Sequence, residues 1–155
     1  METFKIEIQE FLSKIIEVDA ADKEEAILKV KEMYQKEEII NLWFKMWIYK
    51  KDLGMENIFS QNIKYIESYG VKYENLLEVK RWFHEWNKKN TVLSWEIKDF
   101  WHKDNKTMVV WHFKCLFEGK VDEFEGNSII YWNENFKIDY LKEFACKLPQ
   151  INTYR

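Results

Sequence analysis

The sequence predicts an α+β fold in which helices precede a concave antiparallel sheet, and three observations carry that expectation. Apolar residues recur at helical spacing in residues 22–53 and 74–86, then alternate at period two through residues 92–144. Only 1 Pro and 4 Gly interrupt the 155 residues, so most of the chain belongs to regular elements rather than long loops. The third is aromatic density: 8 Trp, 8 Tyr and 11 Phe make the chain 17% aromatic. Flat side chains in that number either fill a bulky core or line a hollow, and both require a concave sheet.

Taken in order, Phe4, Ile6 and Ile8 alternate with Lys5, Glu7 and Gln9, and Ile16 with Val18 resume the pattern, which predicts a hairpin. Asp22 stands as an N-cap with Glu25 three residues on, followed by Ala26, Ile27, Val30, Met33 and Tyr34 at helical spacing. Ile40, Trp43, Phe44 and Trp47 form a second apolar helical stripe. Nothing in residues 35–38 decides between one helix and two. Asp52, Leu53 and Gly54 are expected to end it, Gly54 in the left-handed conformation, and a short turn holds Ile58 and Phe59.

Ile63, Tyr65 and Glu67 share one parity of a strand that Gly70 terminates. Leu76, Leu77, Val79, Trp82, Phe83 and Trp86 then mark a helix within residues 74–86, and residues 87–90 a loop. Four extended segments follow, at 92–102, 107–117, 123–132 and 137–144, separated by short polar turns.

Composition excludes several function classes. With 46% hydrophobic and 33% charged residues the chain has the apolar material for a core and is not disordered. Its length allows one full domain and little else, against a two-domain enzyme with its own cofactor module. A net charge of −3 offers no basic surplus for a phosphate backbone, so no nucleic-acid partner is expected. Charged residues break every hydrophobic run short of the ~18 residues of a membrane helix. Without a secretory signal, Cys115 and Cys146 are expected to be reduced and buried in a cytoplasmic protein. His84, His102 and His112 lack metal-ligand spacing, with His84 and His112 read as facing solvent or a dimer interface; neither a metal nor a cofactor is expected.

Residues 37–155 resemble the nuclear transport factor 2-like superfamily in its bacterial SnoaL-like branch. The likeness is carried by Ile40-Asn41-Leu42-Trp43, Tyr65-Ile66-Glu67-Ser68-Tyr69-Gly70, Trp82-Phe83-His84-Glu85-Trp86-Asn87, Trp111-His112-Phe113-Lys114-Cys115 and Phe124-Glu125-Gly126-Asn127-Ser128-Ile129-Ile130. The resemblance implies a curved sheet wrapped on helices as a cone, a pocket between them, and often a homodimer. Its members include ketosteroid isomerases, polyketide cyclases, epoxide hydrolases, dehydratases and non-catalytic binding proteins, so fold does not fix function. Residues 1–36 are more loosely similar to the DpnD/PcfM-like module, through Phe4-Lys5-Ile6-Glu7-Ile8-Gln9-Glu10-Phe11 and the helix after it. A strand-strand-helix unit of that size cannot bury a core alone.

Glu67 is the candidate catalytic residue. An acid between aromatic walls is disfavoured in its charged form and can act as a base near neutral pH. The resemblance implies a proton-shuttling acid at a comparable place in ketosteroid isomerases, there normally Asp. A solvated Glu67 capping the Gly70 turn is the alternative, and no Tyr plus protonated acid aimed at one oxyanion is evident. The candidate ligand-binding residues are Tyr65, Trp82, Trp86, Trp95, Trp111, Phe113, Phe124, Ser128, Ile130 and Trp132, with Trp95 or Trp101 supplied by the first long strand. Close packing against Trp43 and Trp47 would leave no void. Gly126 eases strand curvature or admits a ligand edge. Cys115 reads as a small buried hydrophobe, and Glu143 with Asp139 as a paired-carboxylate site or a polar outer row. Three readings follow: a small hydrophobic or aromatic ligand in an aromatic pocket, an isomerase, cyclase or dehydratase using Glu67, and a homodimer through a sheet face that exposes Ile97, Ile129 and Tyr131.

Overall fold

A computed structural model describes residues 15–154, and the chain divides into two compact units, Met1–Glu32 and Met33–Arg155. In the first unit, residues 15–20 form no regular element, so Ile16 and Val18 do not form the expected strand; Phe4, Ile6 and Ile8 lie outside the described residues. The predicted N-cap is in place. Asp22 Oδ1 accepts the Glu25 N–H at 2.9 Å, and Glu25 Oε2 reaches back to the Ala21 N–H at 2.7 Å, satisfying amides left open by the first turn.

Helix α1 (Lys23–Tyr49) runs without interruption, which answers the question of one helix or two. Its end departs from expectation. Lys50 rather than Gly54 ends the helix, in the left-handed conformation at φ 54°, while Lys50 N–H bonds Trp47 O and Lys51 N–H bonds Met46 O. The cost of this conformation for a non-glycine is offset by the Lys50 ammonium, which donates to Asn90 O at 2.8 Å and Thr91 Oγ1 at 2.7 Å. Gly54 is left-handed as expected, at φ 109°, but opens the one-turn helix α2 (Met55–Ile58), where Asp52 Oδ1 accepts from the Gly54 and Met55 amides.

Strand β1 (Phe59–Ile66) follows directly, and a two-residue strand β2 (Lys72–Tyr73), not foreseen in the sequence, pairs back on it. Helix α3 (Leu76–Lys89) starts at Asn75, whose side chain accepts the Glu78 N–H. The chain ends in β3 (Thr91–Lys103), β4 (Lys106–Phe117), β5 (Lys120–Trp132) and β6 (Ile138–Lys147). The six strands form one curved, unclosed sheet in the order β2-β1-β6-β5-β4-β3. Four of its pairings are antiparallel, and β1 with β6 is parallel.

Inward residues of the sheet and the stripe of α1 predicted from Ile40, Trp43, Phe44 and Trp47 share one core. Trp43 sits at its centre, edge-on to Phe59 at 4.9 Å and Trp47 at 5.4 Å. Each fully buried side chain here, Phe59, Ile63 or Phe83, contributes about 1.5–3 kcal/mol over exposure. The helix is also pinned to the sheet by polar contacts. His102 Nε2 meets Glu37 Oε1 at 3.1 Å, and its Nδ1 meets Thr107 Oγ1, which accepts the Trp132 indole N–H at 2.9 Å.

Two bulges in β3, between Val92 and Ser94 and between Ile97 and Asp99, shift its pairing with β4 and so change which face successive side chains take. As a result Trp95, Ile97 and Phe100 pack on the core while Trp101 is 60% exposed. Ile97 therefore does not belong to an exposed outer row. Tyr131 does, and Ile129 is partly exposed.

Candidate functional site

The aromatic rows do not close the interior. A cavity of about 440 Å³ remains, walled by Trp47 of α1, Trp82 and Trp86 of α3, Trp95 of β3, Trp111 and Phe113 of β4 and Phe124 of β5. Stacking fixes the planes of two of these indoles: Trp95 lies on Phe44 at 4.0 Å and Trp82 on Tyr73 at 4.7 Å. The indole N–H groups of Trp47 and Trp95 are buried without a hydrogen-bond partner in the protein.

Gly126 makes room for the wall. A Cβ there would stand 2.2 Å from the Phe144 carbonyl oxygen and 2.7 Å from Cη2 of Trp111, so the glycine admits an indole and the neighbouring strand. Behind the same indole, Ser128 Oγ accepts its N–H at 2.9 Å.

One end of the cavity is polar. The β1–β6 pairing ends at Ile66 with Lys142, and the next residue of each segment, Glu67 and Glu143, lines the cavity, close enough for the Glu67 charge to act on Glu143. Each carboxyl is held by a tyrosine. Tyr73 donates to Glu67 Oε1 at 2.6 Å, and Tyr65 donates to Glu143 Oε1 in a short hydrogen bond. Burial raises the proton affinity of both acids; for Glu143 the result is a pKa pushed up to about 7, with the Glu67 charge adding to it and the Tyr65 hydroxyl and Ser68 amide opposing it. Burial likewise pushes the Tyr69 hydroxyl up to about 12 and the Cys115 thiol up to about 11, so neither ionises near neutral pH.

Of the residues expected at the site, Glu67, Trp82, Trp86, Trp95, Trp111, Phe113 and Phe124 line the cavity together. Tyr65, Ser128, Ile130 and Trp132 do not. Tyr65 lies behind Glu143, Ser128 behind Trp111, and Ile130 and Trp132 are consumed by the core. Glu143 does pair with a carboxylate, but with Glu67 across a strand boundary rather than with Asp139, whose Oδ1 accepts from Asn133. Cys115 is buried as expected, whereas Cys146 is exposed. His84 is exposed, and His112 is bonded to Glu123 at 2.8 Å on the opposite face of β4. Among the described residues no cluster of His, Cys, Asp and Glu could hold a metal ion, and no helix is long and apolar enough to cross a membrane. Ser68, Tyr69 and Val71, in the turn after β1, also line the cavity; they carry no periodic signal that would have revealed them.

An open cavity between two Trp-bearing helices and a curved six-strand sheet matches solved structures. An NTF2-like protein of unknown function from Exiguobacterium sp. 255-15 aligns at a TM-score of 0.59 and 15% identity, over 70% of this chain and 98% of that one. The fold is nuclear transport factor 2-like. An LEH-like epoxide hydrolase of M. tuberculosis shares this nuclear transport factor 2-like fold at a TM-score of 0.65 and 4% identity, over 73% of this chain and 84% of that one. So does a hypothetical protein of ketosteroid isomerase-like fold from Catenulispora acidiphila, solved in complex with trimethylamine, at 0.59 and 10%, over 69% and 84%. Residues 4–41 match the DpnD/PcfM-like proteins, so that similarity runs past residue 36 and ends within α1. No curated protein matches the sequence.

Proposed function

We propose that the chain binds a small hydrophobic or aromatic molecule in the cavity, without chemistry being required of it. The observation that carries this reading is the open volume of about 440 Å³ between indole walls, in the size range of ligand pockets. A close-packed interior would have no use for it. The trimethylamine complex of the Catenulispora protein supports the reading, since that fold holds a small molecule. Titration with 2-naphthol, followed by tryptophan fluorescence, tests it. The expected result is saturable quenching that disappears in Ala145→Trp, which fills the cavity from β6. Absence of saturation in the native protein refutes it.

A catalytic second reading is favoured by one observation: Glu67, raised by burial, stands beside a second acid with an even stronger hold on its proton. In an isomerase, cyclase or dehydratase Glu67 takes the proton and Glu143 donates one. Loss of turnover on a carbonyl substrate in Glu67→Gln supports this; unchanged turnover ends it. A homodimer through the outer sheet face is proposed from exposed Tyr131, its ring tilted against Tyr140 at 5.1 Å, and exposed Phe144. A monomer by light scattering refutes that arrangement.

A further inference from the structure

Every charged residue on the cavity wall is acidic. Glu67, Asp122 and Glu143 reach it, and among the described residues no Lys, Arg or His does. Lys147 is paired with Asp122 at 2.8 Å and does not line the cavity. Among the described residues Glu67 and Glu143 form no ion pair; their partners there are the Tyr73 and Tyr65 hydroxyl groups and the Ser68 amide. Acids on an open surface would simply be hydrated. These close the end of an apolar cavity, where a lone negative charge is costly and an incoming positive charge removes the cost. The remaining wall has the complementary property, because indole faces carry negative potential and Trp is the strongest of the aromatic side chains in attracting a cation.

We infer that the cavity takes an organic ammonium ion, its charge seated between the tryptophan rings and the Glu67 and Glu143 carboxyl groups. The inference rests on the binding reading above and narrows its ligand class. Quaternary and tertiary ammonium groups fit best: they are weakly hydrated and present methyl groups to the rings, whereas an anion would meet three acids and no base. Cation entry draws both carboxyls toward their ionised forms, so binding strengthens as pH rises and releases protons. The other groups facing the site do not share in this: Tyr65, Tyr69, Tyr73 and Cys115 are all held protonated well above neutral pH.

The test uses two ligands of one shape. Phenyltrimethylammonium and tert-butylbenzene differ in charge and hardly in volume, and both are titrated into the whole protein by calorimetry at pH 6 and pH 8. The inference expects the cation to bind at least about tenfold tighter at pH 8, with its advantage smaller at pH 6. It also expects Glu67→Gln/Glu143→Gln to reduce that advantage to about twofold while tert-butylbenzene binds as before, which doubles as a check that the variant is folded. Binding of tert-butylbenzene as tight as that of the cation overturns the ammonium assignment and leaves the binding reading standing. Binding of neither overturns both. The comparison in the unmodified protein decides the matter even if the double variant fails to fold.

Discussion

Replacing Glu143 by Gln should remove a loss of stability that the native protein suffers as pH rises. In the folded state burial first, and the neighbouring Glu67 charge second, lift the Glu143 carboxyl from 4.5 to about 7. At about 1.4 kcal/mol for each tenfold change in proton affinity, that rise is worth on the order of 3 kcal/mol. The folded protein holds this proton more tightly than the unfolded chain, so the stabilisation is complete below about pH 4.5 and is lost as pH climbs through about 7. Glutamine keeps one acceptor oxygen for the Tyr65 hydroxyl or the Ser68 amide and gives up the other, a pH-independent loss of about 1 kcal/mol. Glu143→Gln should therefore be about 1 kcal/mol less stable than the native protein at pH 4.5 and about 2 kcal/mol more stable at pH 8.5. Urea denaturation of both proteins across that range measures the gap. Since Glu67 stands beside it, the curve reports proton uptake by the pair. Parallel stability profiles, or a variant that loses stability relative to the native protein as pH rises, would refute the claim that a buried acid is held neutral here.

Three further outcomes are expected. Gly126→Ala should cost about 1–3 kcal/mol in urea denaturation, since its methyl group meets a carbonyl oxygen at 2.2 Å, and should shift tryptophan emission as the Trp111 ring is displaced. Lys50→Ala keeps the left-handed backbone and loses the tether to Asn90 and Thr91, for a loss of about 1–2 kcal/mol, whereas Lys50→Gly relieves the backbone and should be nearly neutral; equal losses would remove the explanation given for a lysine at this helix end. Tyr73→Phe removes the hydrogen bond that opposes the burial of Glu67, so the Glu67 midpoint should move higher still in a carboxyl-resolved NMR titration.

Much of the architecture was legible because long elements announce themselves by period. The four long strands and α3 fall where alternation and the Trp82, Phe83 and Trp86 stripe put them. Strand β2 and helix α2 were not legible, being two and four residues held by their neighbours rather than by any pattern of their own. Parity gave the face of a strand but not the depth along it. Phe124 and Trp132 share the inner row of β5, yet one borders the cavity and the other is packed solid against Thr107 and the core. Parity also failed across the β3 bulges, which is why Trp95 and not Trp101 points inward. The pairing of Glu67 with Glu143 depends on the register of two strands that are far apart in sequence, and no local signal encodes it.

The parallel junction of β1 with β6 has a kinetic implication. The Tyr65–Glu143 bond closes a loop of 78 residues, longer than any hairpin in the sheet, so the polar end of the cavity assembles only once everything between has been brought together. A molecule recognised there is bound by the finished chain and by no partial form of it, and its presence draws late-stage conformers toward completion by mass action.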